Sequence, residues 1–430
     1  MSQSASYIVE DLQPTLDMAT LPKGWRWVRL EEVVSPRNGY WGKGEAFPSS
    51  TEITVLGVGN ITNDGAIRVD GAQPRYLSPY EQEAIAFEGD ILVVKSSGSA
   101  TNIRSGKAGL CPPELSGTIA CSNFMIRLVV KREEAEPYLL WQILNSNDAK
   151  KFIRLIAGST TYPNIKWENY KNFSFLLPSI TEQQRIAAIL NEQLTAVARA
   201  RAAVEAQLEA AQDLPAAYMR EVFDNTEARD WTKKRIGDVA LSVQNGIYKA
   251  AEHYGHGHPF LRMYNVQNDS WMLNLDRLAL VNLEGKEEQI FALSRGDLLI
   301  SRVNSFELVG KCAWVNSDAE GFVFENMLIR VRLDSSVNSL FVAQQMAIDA
   351  VRKQIESVAK RAIGQASINS ADLRAIEIAL PALDIQERIA HELSARVAGA
   401  KQELTALKDQ LRTINKLPAA LLRQAFTGKL

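Results

Sequence analysis

Two hydrophobic patterns alternate along this chain, and each occurs twice. The first is a set of short apolar runs, DILVVK, FMIRLVV, DLLISRV and MLIRVRL, bounded by Gly, Asn and Ser. Runs rich in Val, Ile and Leu between turn residues predict strands. PYEQEAIAF and YLLWQILNSNDAKKFIRLIA have helical spacing instead. Each half of the chain is therefore expected to hold an α+β domain.

The second pattern is a stripe at alternating spacings of four and three. It runs through Leu190, Leu194, Val197, Arg201, Val204, Leu208 and Ala211, and again through Leu393, Val397, Ala400, Leu404, Leu407, Leu411 and Ile414. This is the a/d seam of a heptad repeat. Arg201 is its one charged member. Packing of each helix on its own domain is the plain alternative; two seams in one register predict that the helices pair. Thr181 with Gln184, and Asp384 with Glu387, stand where a capping box would open them.

The helix starts belong to a longer repeat. LPSITEQQRIAAIL and LPALDIQERIAHEL are offset by 203 positions, Leu177 answering Leu380. At that offset Asn123 to Leu128 matches Asn326 to Val331, and DLPAAYMREVFDN matches KLPAALLRQAFTGK. Upstream the offset drifts: GDIL around Asp90 matches GDLL around Asp297, VGNITNDG around Asn60 matches YNVQND around Asn265, and Trp25, Arg29 and Val33 match Trp231, Arg235 and Val239.

Connectivity then sets direction. The first helix delivers the chain, through Pro215, to the second domain, and the second helix starts where that domain ends. If they pair they run antiparallel, with a domain at each end and a pseudo-two-fold axis between. From Thr181 to Gln212 such a helix measures about 48 Å at 1.5 Å per residue. DNA suits a ruler of this kind, because two-fold readers contact half-sites about 34 Å apart or multiples of that. Two domains with one frame and different sequences imply a split, asymmetric target.

Composition narrows the alternatives. The chain has 430 residues, 46% hydrophobic and 23% charged, with a net charge of −2, as expected of a folded multidomain protein without a globally basic surface. MSQSASYIVEDLQPTLDMAT has neither a basic flank nor an apolar core, so no secretory leader is expected, and no apolar run approaches membrane-spanning length. Cys111, Cys121 and Cys312 read as buried thiols of a cytoplasmic protein.

The sequence resembles the specificity subunit of type I restriction–modification enzymes from about Leu21 to Leu430. The resemblance rests on GWRWVRLEEV at Gly24, the GDIL and GDLL strands, the two LPSITEQQRI-like helix starts and the terminal LLRQAFTGKL, repeated in one order. It implies an α+β fold of two tandem α/β target-recognition domains separated by a pair of long antiparallel coiled-coil helices. The expected layout is an N-terminal extension (1–20), a first recognition domain (21–178), a helical spacer (179–226), a second recognition domain (227–381) and a second spacer (382–430). It also implies double-stranded DNA as ligand and docking of two methyltransferase subunits that use S-adenosylmethionine. Motor-nuclease subunits, using ATP with Mg2+, would join that core.

The residues agree that the chain is not itself the catalyst. It has neither a glycine-rich cofactor loop after a strand nor an Asn/Asp-Pro-Pro-aromatic tetrapeptide. In SGSATNIRSGKAG, Lys107 precedes Ala108 rather than Ser or Thr, which removes the phosphate-loop reading. Asp90 and Lys95 invite comparison with a nuclease pair, but the second copy has Asp297 and Arg302, so the aspartates read as turn residues opening a strand. His253, His256 and His258 in HYGHGH read as a loop of exposed imidazoles rather than a metal site. A self-contained modification enzyme and a two-ended protein scaffold remain as rival readings at this point.

Base reading needs Arg, Lys, Asn or Gln on loops or strand ends, while phosphates take Lys, Arg, Ser and Thr. The first domain offers Lys95, Ser96, Ser97, Asn102, Arg104 and Lys107 after the GDIL strand, then Thr160, Thr161, Tyr162, Asn164 and Lys166. The second offers Arg302, Asn304, Ser305 and Lys311, then Arg361, Gln365, Ser367 and Asn369. Arg104 and Lys107 head this set as a basic pair in a long Gly/Ser loop. Tyr40 and Trp41 in RNGYWGKG read as core aromatics rather than a base-stacking edge.

Overall fold

The structure, a computed structural model, describes residues 24–430 except 97, 100–101, 158–163 and 268–269. The proposed extension at 1–20 lies outside the described residues. The chain forms two compact units, one of residues up to Ala203 together with Leu411–Leu430, the other of Val204–Gln410.

The first unit is built on a four-stranded antiparallel sheet in the order Val34–Asn38, Met125–Val130, Ile91–Val94, Ala108–Leu110. The second unit repeats that order with Ala240–Asn245, Leu328–Leu333, Leu298–Ser301 and Cys312–Trp314. A three-stranded sheet accompanies each: Gln73–Leu77, Thr51–Leu56 and Ile119–Cys121 in one, Ala279–Val281, Tyr254–Leu261 and Val323–Phe324 in the other. In both, the first pair is antiparallel and the second parallel. A two-stranded ribbon, Arg26–Arg29 with Ser174–Leu177 and Thr232–Arg235 with Glu377–Leu380, closes each domain where its long helix departs.

The GDIL runs explain why the layers assemble. Every residue of Ile91–Val94 is buried. Strand side chains alternate faces, so Ile91 and Val93 pack with Leu139, Leu140 and Ile143 of the helix Pro137–Leu144. Leu92 and Val94 pack on the other face with Ile53 and Val55. Leu298 and Ile300 against Leu299 repeat the division. Full burial is worth about 1.5–3 kcal/mol for each such side chain.

Asp90 and Asp297 open these strands as turn residues: their carboxylates accept from the Phe87 and Ser294 amides, both at 2.8 Å. Each also holds an arginine of the neighbouring strand, Arg127 Nε at 2.7 Å and Arg332 Nη2 at 2.7 Å. The three cysteines are free and buried, and burial pushes the Cys111 and Cys121 thiols up to about 12.

The first long helix spans Ile180–Phe223 and the second Leu383–Ile414. The seam is visible in the burial pattern: Leu190, Val204 and Ala211, then Leu393, Val397, Ala400, Leu407 and Ile414 are buried. Leu194, Val197, Leu208, Leu404 and Leu411 are half-buried, whereas Arg201 is exposed. Direction is legible inside each unit. In the second, Tyr218, Met219 and Phe223 near the end of the first helix share a core with Ala390, Leu393 and Val397 near the start of the second, and Arg396 binds Glu221 at 2.6 Å. In the first, Ile186, Ala187 and Leu190 pack with Leu421, Leu422 and Ala425 of the C-terminal helix Leu417–Phe426. The end of the first helix thus meets the start of the second, and the start of the first meets the C-terminal helix.

Two expectations are corrected. The first helix does not stop before Pro215; it runs through it to Phe223, 44 residues in all and about 66 Å long. The matching Leu417-Pro418 instead begins a separate helix, where proline's missing N–H is not needed. The helices already open at Ile180 and Leu383, so Thr181 and Asp384 lie inside them rather than at a cap; the side chains that anchor the helix starts are Gln183 and Gln386. Gln183 accepts from the Glu136 amide at 2.9 Å and donates to the Pro178 carbonyl at 2.9 Å. Gln386 accepts from the Asn338 amide at 3.0 Å and donates to the Pro381 carbonyl at 2.8 Å.

Candidate nucleic-acid interface

A cation, Lys95 or Arg302, directly follows the strand Ile91–Val94 or Leu298–Ser301, and there the backbone joins three separate segments. The Lys95 amide donates to the Phe124 carbonyl at 2.8 Å, the Ile165 amide donates to the Lys95 carbonyl at 2.8 Å, and Ser96 bridges Asn164. In the second domain the Arg302 amide donates to the Met327 carbonyl at 2.8 Å, and the Ile368 amide to the Arg302 carbonyl at 3.0 Å. Val303–Asn304 then pairs with Gln365–Ser367, which pairs with Lys360–Ala362. The two candidate loops of each domain thus meet at one edge, through equivalent bonds.

Lys107 and Lys311 are structural counterparts. The Gly106 amide donates to the Val94 carbonyl at 2.7 Å and the Gly310 amide to the Ser301 carbonyl at 2.8 Å, and the lysine carbonyls accept from the same two strand residues. Both glycines have positive φ, +89° and +77°; a Cβ there would lie 2.1 Å from Ile153 Cδ1 and 2.6 Å from Ile355 Cγ2. Burial lowers both ammonium pKa values, and the Arg104 charge adds to the effect at Lys107. Lys311 lines a cavity of about 640 Å³ with Trp271, Arg352, Met219 and Val397.

The other candidates divide by what already holds them. Arg302 Nη1 donates to the Asn326 carbonyl at 3.0 Å, and Asn304 donates to Ser301 Oγ at 3.2 Å while accepting from the Ser305 amide at 2.9 Å. Asn369 caps the helix Ser370–Ala375, accepting from the Ala371 and Asp372 amides at 2.8 and 3.0 Å. The Arg361 guanidinium sits 3.6 Å above the Phe306 ring. Arg104, Asn164, Lys166 and Gln365 are exposed; Lys95, Ser96, Ser305 and Ser367 are half-buried. Ser97, Thr160, Thr161, Tyr162 and the side chain of Asn102 lie outside the described residues.

The core expectation for Tyr40 and Trp41 holds only in part. Tyr40 is half-buried and donates to Glu83 at 3.1 Å, but Trp41 is 40% exposed with the Arg75 guanidinium 5.2 Å above it. His256 and His258 lie on a strand, Tyr254–Leu261, rather than in a loop, and His253 ends the short helical turn before it. His253 and His258 face Glu284 and Glu288 at 3.8 and 4.0 Å. Among the described residues no three ligand side chains gather for a metal ion, and no helix is long and apolar enough to cross a membrane.

The duplicated frame has known relatives. The family model for the type I restriction modification DNA specificity domain matches residues 22–209 and 228–411. The StySPI type I restriction enzyme specificity subunit of Salmonella potsdam is 23% identical over 96% of this chain and 91% of its own length. The crystal structure of the HsdS subunit from Thermoanaerobacter tengcongensis superposes with a TM-score of 0.60 at 23% identity, covering 95% of this chain and 98% of that one. A chain solved in work on complex assembly and conformational transition of the type I R-M system gives 0.60 at 23%, covering 95% and 99%. The protein belongs to the type I restriction–modification DNA specificity family, with two recognition domains in one chain.

Proposed function

We propose that the chain is the non-catalytic, DNA-reading subunit of a type I complex in the cytoplasm, each domain reading one half of a split, asymmetric target. The paired helices set the gap and dock two methyltransferase subunits, with motor-nuclease subunits joining that core. S-adenosylmethionine, and ATP with Mg2+, belong to those partners. One observation carries the reading: the two domains share strand order and backbone bonding at the candidate edge, yet present different side chains there. Lys95, Ser96 and Asn164 in one correspond to Arg302, Val303 and Ser367 in the other. A shared frame with divergent edges suits two readers of different half-sites; a pure scaffold has no need of it. Exchange of residues 227–381 for the corresponding domain of a relative tests the reading. It predicts that one half of the methylated motif changes and the other half and the gap are retained. A motif altered in both halves, or unaltered, would count against it.

A further inference from the structure

Beside each strand-end cation stands a four-residue turn of the same form. The Met125 amide donates to the Ser122 carbonyl at 2.9 Å, and the Leu328 amide to the Glu325 carbonyl at 2.9 Å. The central positions are Asn123-Phe124 in one and Asn326-Met327 in the other. Such positions ordinarily take Gly, Asn, Asp or Ser. Both third positions hold a large apolar residue, and both face solvent: Phe124 is 51% exposed and Met327 38%. Neither belongs to a core, since the strands beginning at Met125 and Leu328 turn the following side chains inward.

The turns are held firmly. The Phe124 carbonyl accepts from the amides of both Lys95 and Ser96, at 2.8 and 3.2 Å, and the Met327 carbonyl accepts from Arg302. In the second domain the Arg302 guanidinium also bonds the Asn326 carbonyl. An exposed apolar side chain on a firmly held turn beside a cation, kept in both domains while the flanking loops differ, is a combination neither core packing nor solubility requires. Single exposed apolar residues need no explanation; the same exposure at one position in both halves does.

Resting on the DNA-reading function above, we infer that Phe124 and Met327 are specificity residues, one per half-site. Each places an apolar surface against a base edge in the major groove while Lys95 or Arg302 meets the adjoining phosphate. The edge that suits such a contact is the thymine methyl group or the C5 face of a pyrimidine, the apolar features the groove presents. Cations flanking the turns favour DNA over an apolar protein partner as the occupant.

The full-length chain, co-expressed with its methyltransferase subunit, tests this by mapping methylated adenines in host DNA. Wild type, Phe124→Ala, Met327→Ala and the exchange pair Phe124→Met and Met327→Phe would be compared. Both sites are exposed, so melting temperatures should stay unchanged. Phe124→Ala should relax one base pair in one half-site, discrimination falling roughly tenfold, and leave the other half intact. Met327→Ala should do the same in the opposite half only, and the exchange variants should keep a preference that the alanines lose. A wild-type motif retained by both alanine variants would overturn the inference, as would loss of a co-purifying subunit with the motif unchanged. Absence of any split motif from the wild-type complex would instead defeat the function itself.

Discussion

Replacing Asp90 with alanine should unfold the first recognition domain at a markedly lower temperature. The Asp90 and Arg127 side chains are 6% and 11% exposed, and their contact is 2.7 Å. Removing the carboxylate also takes the acceptor from the Phe87 amide. Arg127 would keep the Glu83 carbonyl at 2.8 Å but lose its counter-charge. Breaking a buried pair from one side costs about 3–5 kcal/mol, because a charge is left without compensation. Against a typical stability of about 5–15 kcal/mol that is a large share. At roughly 2–4 °C per kcal/mol for a domain of this size, the transition should fall by about 10 °C. Calorimetry of the full chain reads this. Asp90→Asn keeps an acceptor for the Phe87 amide and should lose less. The double variant Asp90→Ala with Arg127→Met should recover much of the loss, since the stranded charge is gone. A fall of under ~2 °C for Asp90→Ala, or a double variant worse than both singles combined, would refute the reasoning.

Other substitutions probe the remaining links. Gly106→Ala forces a side chain into positive φ and onto Ile153, and should destabilise by about 2–4 kcal/mol in a urea titration. Gly310→Ala should behave alike in the second domain. Gln386→Ala orphans the Asn338 amide and should lower stability by about 1–3 kcal/mol, whereas Glu387→Ala on the exposed face should change it by less than about 0.5. Arg104→Ala should weaken DNA binding and reduce the slope of log affinity against log salt by about 1; an unchanged slope would remove Arg104 from the phosphate contacts. Four residues inserted after Ala206 should change the tolerated gap between half-sites or abolish binding, and an unchanged gap would sink the ruler.

The parts of this protein governed by a period were legible before any coordinates. The seam from Leu190 to Ala211 and from Leu393 to Ile414 repeats at heptad spacing, and its burial follows. The GDIL and GDLL runs alternate between two cores because strand geometry demands it. What escaped depends on contacts distant in sequence. Nothing local joins Lys95 to Ile165, or Val303 to Ser367. Lys107 and Lys311 sit one position off the 203-residue offset, so their equivalence emerges only from the shared Gly-Lys turn. Pro215 reads as a stop, yet its helix continues, because tertiary packing by Tyr218, Met219 and Phe223 outweighs the missing hydrogen bond. Gln183 and Gln386 have no mark of their own in the sequence; their burial comes from the domain each helix leaves. Phe124 and Met327 went unnoticed because an apolar residue in a turn has no periodicity to mark it.

The central claim is that one chain reads two different half-sites at a fixed separation. Mapping methylated adenines in host DNA after co-expression of this chain with its methyltransferase subunit tests it most directly. The account predicts a single asymmetric motif of two specified blocks separated by a constant run of unspecified bases. A contiguous or symmetric motif, or two blocks at variable spacing, would contradict it.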